Sequence, residues 1–164
     1  MKENIKVVGR ELVVKGEAMF NDLKEAKGFE GSEKDKKFGI KIKISAEAAE
    51  EVQEALNALE DEVYKEGTAN FSKVKKLSTQ KAPPKYKFVA DAAGEPTGEI
   101  TLNLQRKEAF GPITIFKAGT EGAVERSFIR SGSLVLVRVT VRPYTSADKV
   151  GTSYTAHSIT ILEE

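Results

Sequence analysis

The chain has 164 residues, 40% hydrophobic and 31% charged, with no Cys and a formal net charge of +1. That length fits one domain, residues 1–164, with a core of its own and is short for two. The composition excludes a disulfide framework, a thiolate nucleophile and a Cys-based zinc site, and no apolar run approaches the roughly 18 residues of a membrane-spanning helix.

The N-terminus, Met1-Lys2-Glu3-Asn4-Ile5, moves straight into alternating sequence without the apolar stretch and small-residue cleavage site of a secretory signal, so the protein is expected in the cytoplasm where it is made. Residues 4–8 and 11–20 are β-branched and broken by Gly, which reads as a strand or a bent strand pair, with Gly16 marking a bulge or barrel bend. Residues 21–36, dense in Lys, Glu, Asp and Gly, read as an exposed loop. In 37–44 strict alternation puts Phe38, Ile40, Ile42 and Ile44 on one face and Lys37, Lys41 and Lys43 on the other.

Ser45 is a plausible N-cap, and strong helix formers follow it without Gly or Pro until Gly67, predicting a helix over 46–66. Val52, Leu56, Leu59 and Val63 form its apolar stripe, which would lie on the barrel as a plug or cap. Residues 67–84, with Lys73, Lys75, Lys76, Lys81 and Pro83-Pro84, read as a basic loop. Strands are predicted at 85–90 and 99–106 around a turn-rich connection, and a shorter one around Ile113 and Ile115 precedes a loop at 118–126. In 134–142 the valines share one face, and Arg138, Thr140 and Arg142 share the other. A loop at 143–152 leads to a last strand, on which Thr155, His157, Ile159 and Ile161 are expected to share a face. Short strands with one amphipathic helix suit a mainly β, OB-like Greek-key barrel, although periodicity does not separate it from a sandwich.

Charge is divided along the chain. Residues 46–67 hold eight acids against Lys65 alone, whereas 68–149 hold fourteen Lys/Arg against seven Asp/Glu, a net +7. A basic β surface suits a polyanion, or simply solvates exposed strand faces, while the acidic helix would repel DNA. Converging catalytic groups are missing: His157 is the only histidine, the acids lie along a helix exterior, and no Gly-rich phosphate loop or serine elbow is present. No cofactor or metal is expected, and a binder is favoured over an enzyme.

Binding single strands takes a cationic groove for phosphates and aromatic faces for bases. Arg138 and Arg142 precede Tyr144, and Lys149 and Tyr154 lie across the same loop; Lys85, Tyr86, Lys87 and Phe88 interleave bases and rings again. Phe38 and Phe88 read as core, Tyr86 as core or surface, and Tyr144, beside Pro143 in a polar loop, as functional.

At Val141-Arg142-Pro143-Tyr144, then Val150-Gly151-Thr152-Ser153-Tyr154 and Ile159-Thr160-Ile161-Leu162-Glu163, the chain resembles the replicative single-stranded-DNA-binding proteins of short-tailed phages. Gly16-Glu17-Ala18, the Phe38–Ile44 alternation, the helix and Gly132-Ser133-Leu134 match in the same order, so the resemblance covers most of the chain. It implies an OB-fold that protects single-stranded DNA and promotes annealing in phage replication and recombination, contacts the phage DNA polymerase and helicase-primase, forms a homodimer and works in the infected cell's cytoplasm. Tyr144 would be a stacking residue, Lys36 or Lys37 would hold the family's basic position ahead of the second strand, and Asn103 to Lys107, including Arg106, would border the groove. Two features depart from the pattern. Thr145 and Ser146 stand where the family has a basic residue and a Trp, and the chain stops at Leu162-Glu163-Glu164 where the family continues into an acidic tail that dimerises and recruits partners, so that tail is either removed or missing. The competing reading is a phage structural or protein-interaction β-domain whose acidic helix docks a partner; a nuclease is third.

Overall fold

The computed structural model describes residues 4–28, 36–77, 84–125, 128–146 and 148–164. Among these residues eight strands and one long helix follow in the order β1 (Ile5–Val8), β2 (Glu11–Lys27), β3 (Lys37–Ile44), α1 (Ala46–Phe71), β4 (Tyr86–Ala90), β5 (Pro96–Lys107), β6 (Thr114–Lys117), β7 (Leu134–Ser146) and β8 (Lys149–Glu163). The sheet runs β4-β5-β3-β2-β7-β8-β6, and a parallel pairing of β5 with β8 at Gln105 and Thr155 closes it. The closed part takes β2, β3, β5, β8 and β7 in turn before returning to β2, a five-stranded Greek-key barrel of the OB type. Strand β1 extends β2, β4 extends β5 and β6 extends β8.

Alternation builds the core. Phe38, Ile40, Ile42 and Ile44 of β3, Ile100, Leu102 and Leu104 of β5, and Val135, Val137, Val139 and Val141 of β7 all point inward and are buried. The α1 stripe of Val52, Leu56, Leu59 and Val63 joins the same cluster, and α1 packs against β5, β7 and β8; each side chain so buried contributes about 1.5–3 kcal/mol. Ser45 caps this helix through its backbone carbonyl, which accepts from the Ala48 and Ala49 amides, and its hydroxyl makes no capping bond. Among the described residues no helix is long and apolar enough to cross a membrane.

Several boundaries differ from the sequence expectation. Helix α1 continues through Gly67 to Phe71, because Gly67 lies on the buried face where α1 meets Val150 and Pro143 and admits close contact instead of ending the helix. The expected loop at 67–84 therefore shrinks to a stretch after Phe71, and its residues 78–83, Lys81 among them, lie outside the described residues. The loop expected at 21–36 is instead strand up to Lys27, with Leu23 and Ala26 buried; its residues 29–35 lie outside the described residues.

The loop expected at 143–152 is nearly all hairpin, Pro143 pairing with Thr152 and Tyr144 with Gly151. Proline is tolerated there because the Val141 amide, two residues earlier on the same edge, already bonds to Arg10 at the limit of β2, so the Pro143 nitrogen faces no partner strand. Strand β8 shifts register against β7 twice, at Leu162 near its end and again at His157. Arg138 faces Ser158 while Val139 faces Ala156, which leaves His157 as an extra, bulged residue. Thr155 and His157 therefore turn outward while Ile159 and Ile161 turn inward, not onto one face as the alternation implied.

Candidate nucleic-acid interface

The outward positions of β3 and β5 form the floor of a trough. In their antiparallel register Lys37 faces Lys107, Gly39 faces Gln105 and Lys41 faces Asn103, so cations and amides alternate with a gap where Gly39 has no side chain. Two recesses of about 370 and 380 Å³ open on this floor and share Lys37, Asn103 and Gln105. One ends at Tyr144 and Lys85; the other ends at Phe20 and Lys27. Among the described residues lining the two, Lys27, Lys37, Lys41, Lys85, Arg106 and Lys107 are cationic and only Asp22 is acidic. Such a surface favours a polyanion, and the rings at its margins suit planar groups.

The wall carrying Tyr144 is held from beneath by α1. One carboxylate oxygen of Glu60 accepts hydrogen bonds from the Tyr154 hydroxyl at 2.9 Å, the Thr152 hydroxyl at 3.0 Å and the Lys85 amide at 3.4 Å. The Tyr86 hydroxyl donates to Asn57 at 2.8 Å. This fixes the β7–β8 hairpin and the start of β4 side by side, and the Lys85 ammonium lies 5.1 Å from the centre of the Tyr144 ring, within cation–π range.

The sequence expectations divide on this frame. Lys37, Lys85, Lys107 and Tyr144 meet in the trough, and Lys36 stands just ahead of β3 with its carbonyl bonded to the Glu108 amide. Tyr86 and Tyr154, placed among the binding residues by sequence, are only 8% and 7% exposed; their hydroxyls are drawn onto α1, so both rings support the wall, and Tyr154 lines the recess beside Tyr144 by its small exposed part. Burial first, and then the Glu60 carboxylate, push the Tyr154 phenol far above its ordinary range, so it stays protonated. Phe88, expected in the core, is 68% exposed and meets Tyr86 edge-on, because β4 is a sheet margin where the inward face runs out.

Arg106 borders the trough, but its guanidinium donates to the Phe110 carbonyl at 2.9 Å and the Gly111 carbonyl at 3.1 Å, tying the end of β5 to the turn that follows. Arg138 lies farther round the barrel and pairs with Glu11 at 3.0 Å. Arg142 is exposed on β7 opposite Ser153, Lys149 is exposed at the start of β8, and Lys87 is exposed on β4 opposite Thr101. Phe20, Lys27 and Lys41 were not anticipated as site residues. Alternation in β3 already placed Lys41 on the outer face, whereas Phe20 and Lys27 depend on a bulge and on the unexpected continuation of β2.

His157 sits on the β8 bulge with Nδ1 3.3 Å from the Arg106 guanidinium and Nε2 beside the Thr140 hydroxyl. Arginine only donates, so Nδ1 accepts and the proton resides on Nε2, which donates to Thr140. Burial first, then the charges of Arg106, Arg138 and Arg142 against the opposing Glu11, lower the His157 pKa. The unfolded chain thus binds this proton more readily, and the contribution of neutral His157 is complete above about pH 6.5 and lost as pH falls toward the folded-state pKa. Urea midpoints at pH 7.5 and 5.0 should fall further for the wild type than for His157→Asn; equal losses would contradict this assignment.

No family model matches the chain, and no curated protein matches it in sequence. Among solved structures it is similar to gp2.5, a single-stranded DNA binding protein encoded by bacteriophage T7, with a TM-score of 0.68 over 99% of this chain and 93% of that one at 12% identity. It is also similar to the single-stranded DNA-binding protein of bacteriophage Enc34 in complex with single-stranded DNA, with a TM-score of 0.71 over 100% of this chain and 97% of that one at 11% identity. At these identities the likeness is one of fold.

Proposed function

We propose that this chain is a phage single-stranded-DNA-binding protein that engages its ligand along the β3–β5 trough, with little sequence preference and no chemistry of its own. The observation that carries this reading is the trough itself: six cationic residues against one acid among its described lining, with an aromatic ring stacked by a lysine at one margin, on a fold shared with two phage single-strand binders. Lysines follow a phosphate backbone regardless of sequence, and every base has a face for stacking. Lys36, Lys37, Lys85, Lys107 and Tyr144 serve as contacts, and Arg142, Arg138, Lys87 and Lys149 attract the strand from the flanks.

Coating of this kind protects exposed strands and promotes annealing in phage replication and recombination within the infected cell. The acidic exterior of α1, which would repel DNA, is the surface left for proteins such as the phage polymerase and helicase-primase, or for a second copy of the chain. Anisotropy titration with a labelled oligothymidine and a matched duplex tests the reading. Tight binding of the single strand with much weaker binding of the duplex is the expected result. Absence of single-strand binding at low salt would move the search to protein partners.

A further inference from the structure

We infer that Phe20 is a second base-stacking platform, at the opposite end of the trough from Tyr144, so that a bound strand is gripped by a ring at each margin; this rests on the single-strand reading above. Simple alternation along β2 would send Phe20 inward with Leu12, Val14 and Ala18, which are buried. The ladder with β3 prevents it. Ala18 faces Ile42 and Asn21 faces Ile40, three steps on β2 against two on β3, and this bulge turns Phe20 out to 66% exposure. A bulge that exchanges a buried phenyl ring for an exposed one is without benefit to the core, and bulges recur beside functional sites because they re-aim a side chain.

The surroundings of Phe20 give the ring a use. It lines the recess with Lys27, Lys37, Lys41 and Asn103, cations for phosphates and an amide for base edges, and that recess continues into the one beneath Tyr144. The other exposed phenylalanines with a described ring contact are already engaged: Phe88 meets Tyr86, and Phe110 lies under the Arg106 guanidinium. From β2 across β3, β5 and β8 to β7 is four strand spacings, on the order of 19 Å of curved floor. That span is in keeping with the roughly 4–16 nucleotides that one OB fold covers.

The chain contains no Trp, so Phe20→Trp places a single indole in the trough as a reporter. Titrated with oligothymidine under selective indole excitation, it should be quenched at the same strand concentrations at which anisotropy reports binding. Phe20→Ala should weaken binding by about 5- to 150-fold, the loss of one stacked base, with an unchanged thermal midpoint. Normal binding by anisotropy with an unquenched indole and wild-type affinity for Phe20→Ala would overturn the second platform and leave the trough as the site. Failure of the wild type to bind single strands at all would overturn both.

Discussion

Tyr144→Ala should lower affinity for single-stranded DNA by about 5- to 150-fold, corresponding to the roughly 1–3 kcal/mol that one stacked base contributes. The ring stands on the wall of the trough and is only partly buried, so its removal leaves the barrel core untouched. Its partner Lys85 lies 5.1 Å from the ring centre and loses an anchoring surface, which adds to the effect because that ammonium is then less well placed for a phosphate. Tyr144→Phe retains the face and should bind nearly as well as the wild type. Anisotropy titration of the three proteins, with urea midpoints alongside, checks this. Wild-type affinity for Tyr144→Ala would remove the ring from the site.

Gly67→Ala should destabilise the protein by about 1–3 kcal/mol, the usual cost of overpacking a filled core. The sign is informative, since in an open helix interior the same change would stabilise by about 1 kcal/mol. Here a Cβ would stand 2.6 Å from Cγ1 of Val150 and 2.9 Å from Cβ of Pro143. Val150 can turn a methyl aside, but the proline ring belongs to the strand that carries Tyr144 and yields only by moving that strand. Single-strand affinity should therefore fall with stability. A urea midpoint at or above the wild-type value would show that α1 and the β7–β8 hairpin do not meet as closely as described.

Those two residues illustrate what a sequence can and cannot convey. Strands β3 and β7 were legible because their alternation is unbroken, and with them the inward faces and the outward Lys37, Lys41, Arg138 and Arg142. Strand β8 was legible as a strand but not in phase, since one bulge at His157 reverses which residues face the core. The same kind of irregularity concealed Phe20, whose environment depends on pairing with β3 and not on its neighbours in sequence. Tyr86 and Tyr154 resembled stacking residues by composition; only the arrival of Asn57 and Glu60 from a distant helix shows that their hydroxyls are committed. Gly67 had the form of a helix stop, and became a packing residue because of a hairpin about eighty residues away.

Salt dependence of oligothymidine binding, measured for the wild type and for a Lys37→Gln, Lys41→Gln double variant, tests most directly that this trough follows a phosphate backbone. Each neutralised phosphate on a single strand contributes about −0.7 to the slope of log affinity against log salt. The wild type should show a steep negative slope, and the double variant a slope shallower by about 1.4 together with weaker binding at low salt. Salt-independent binding, or equal slopes for the two proteins, would contradict the account.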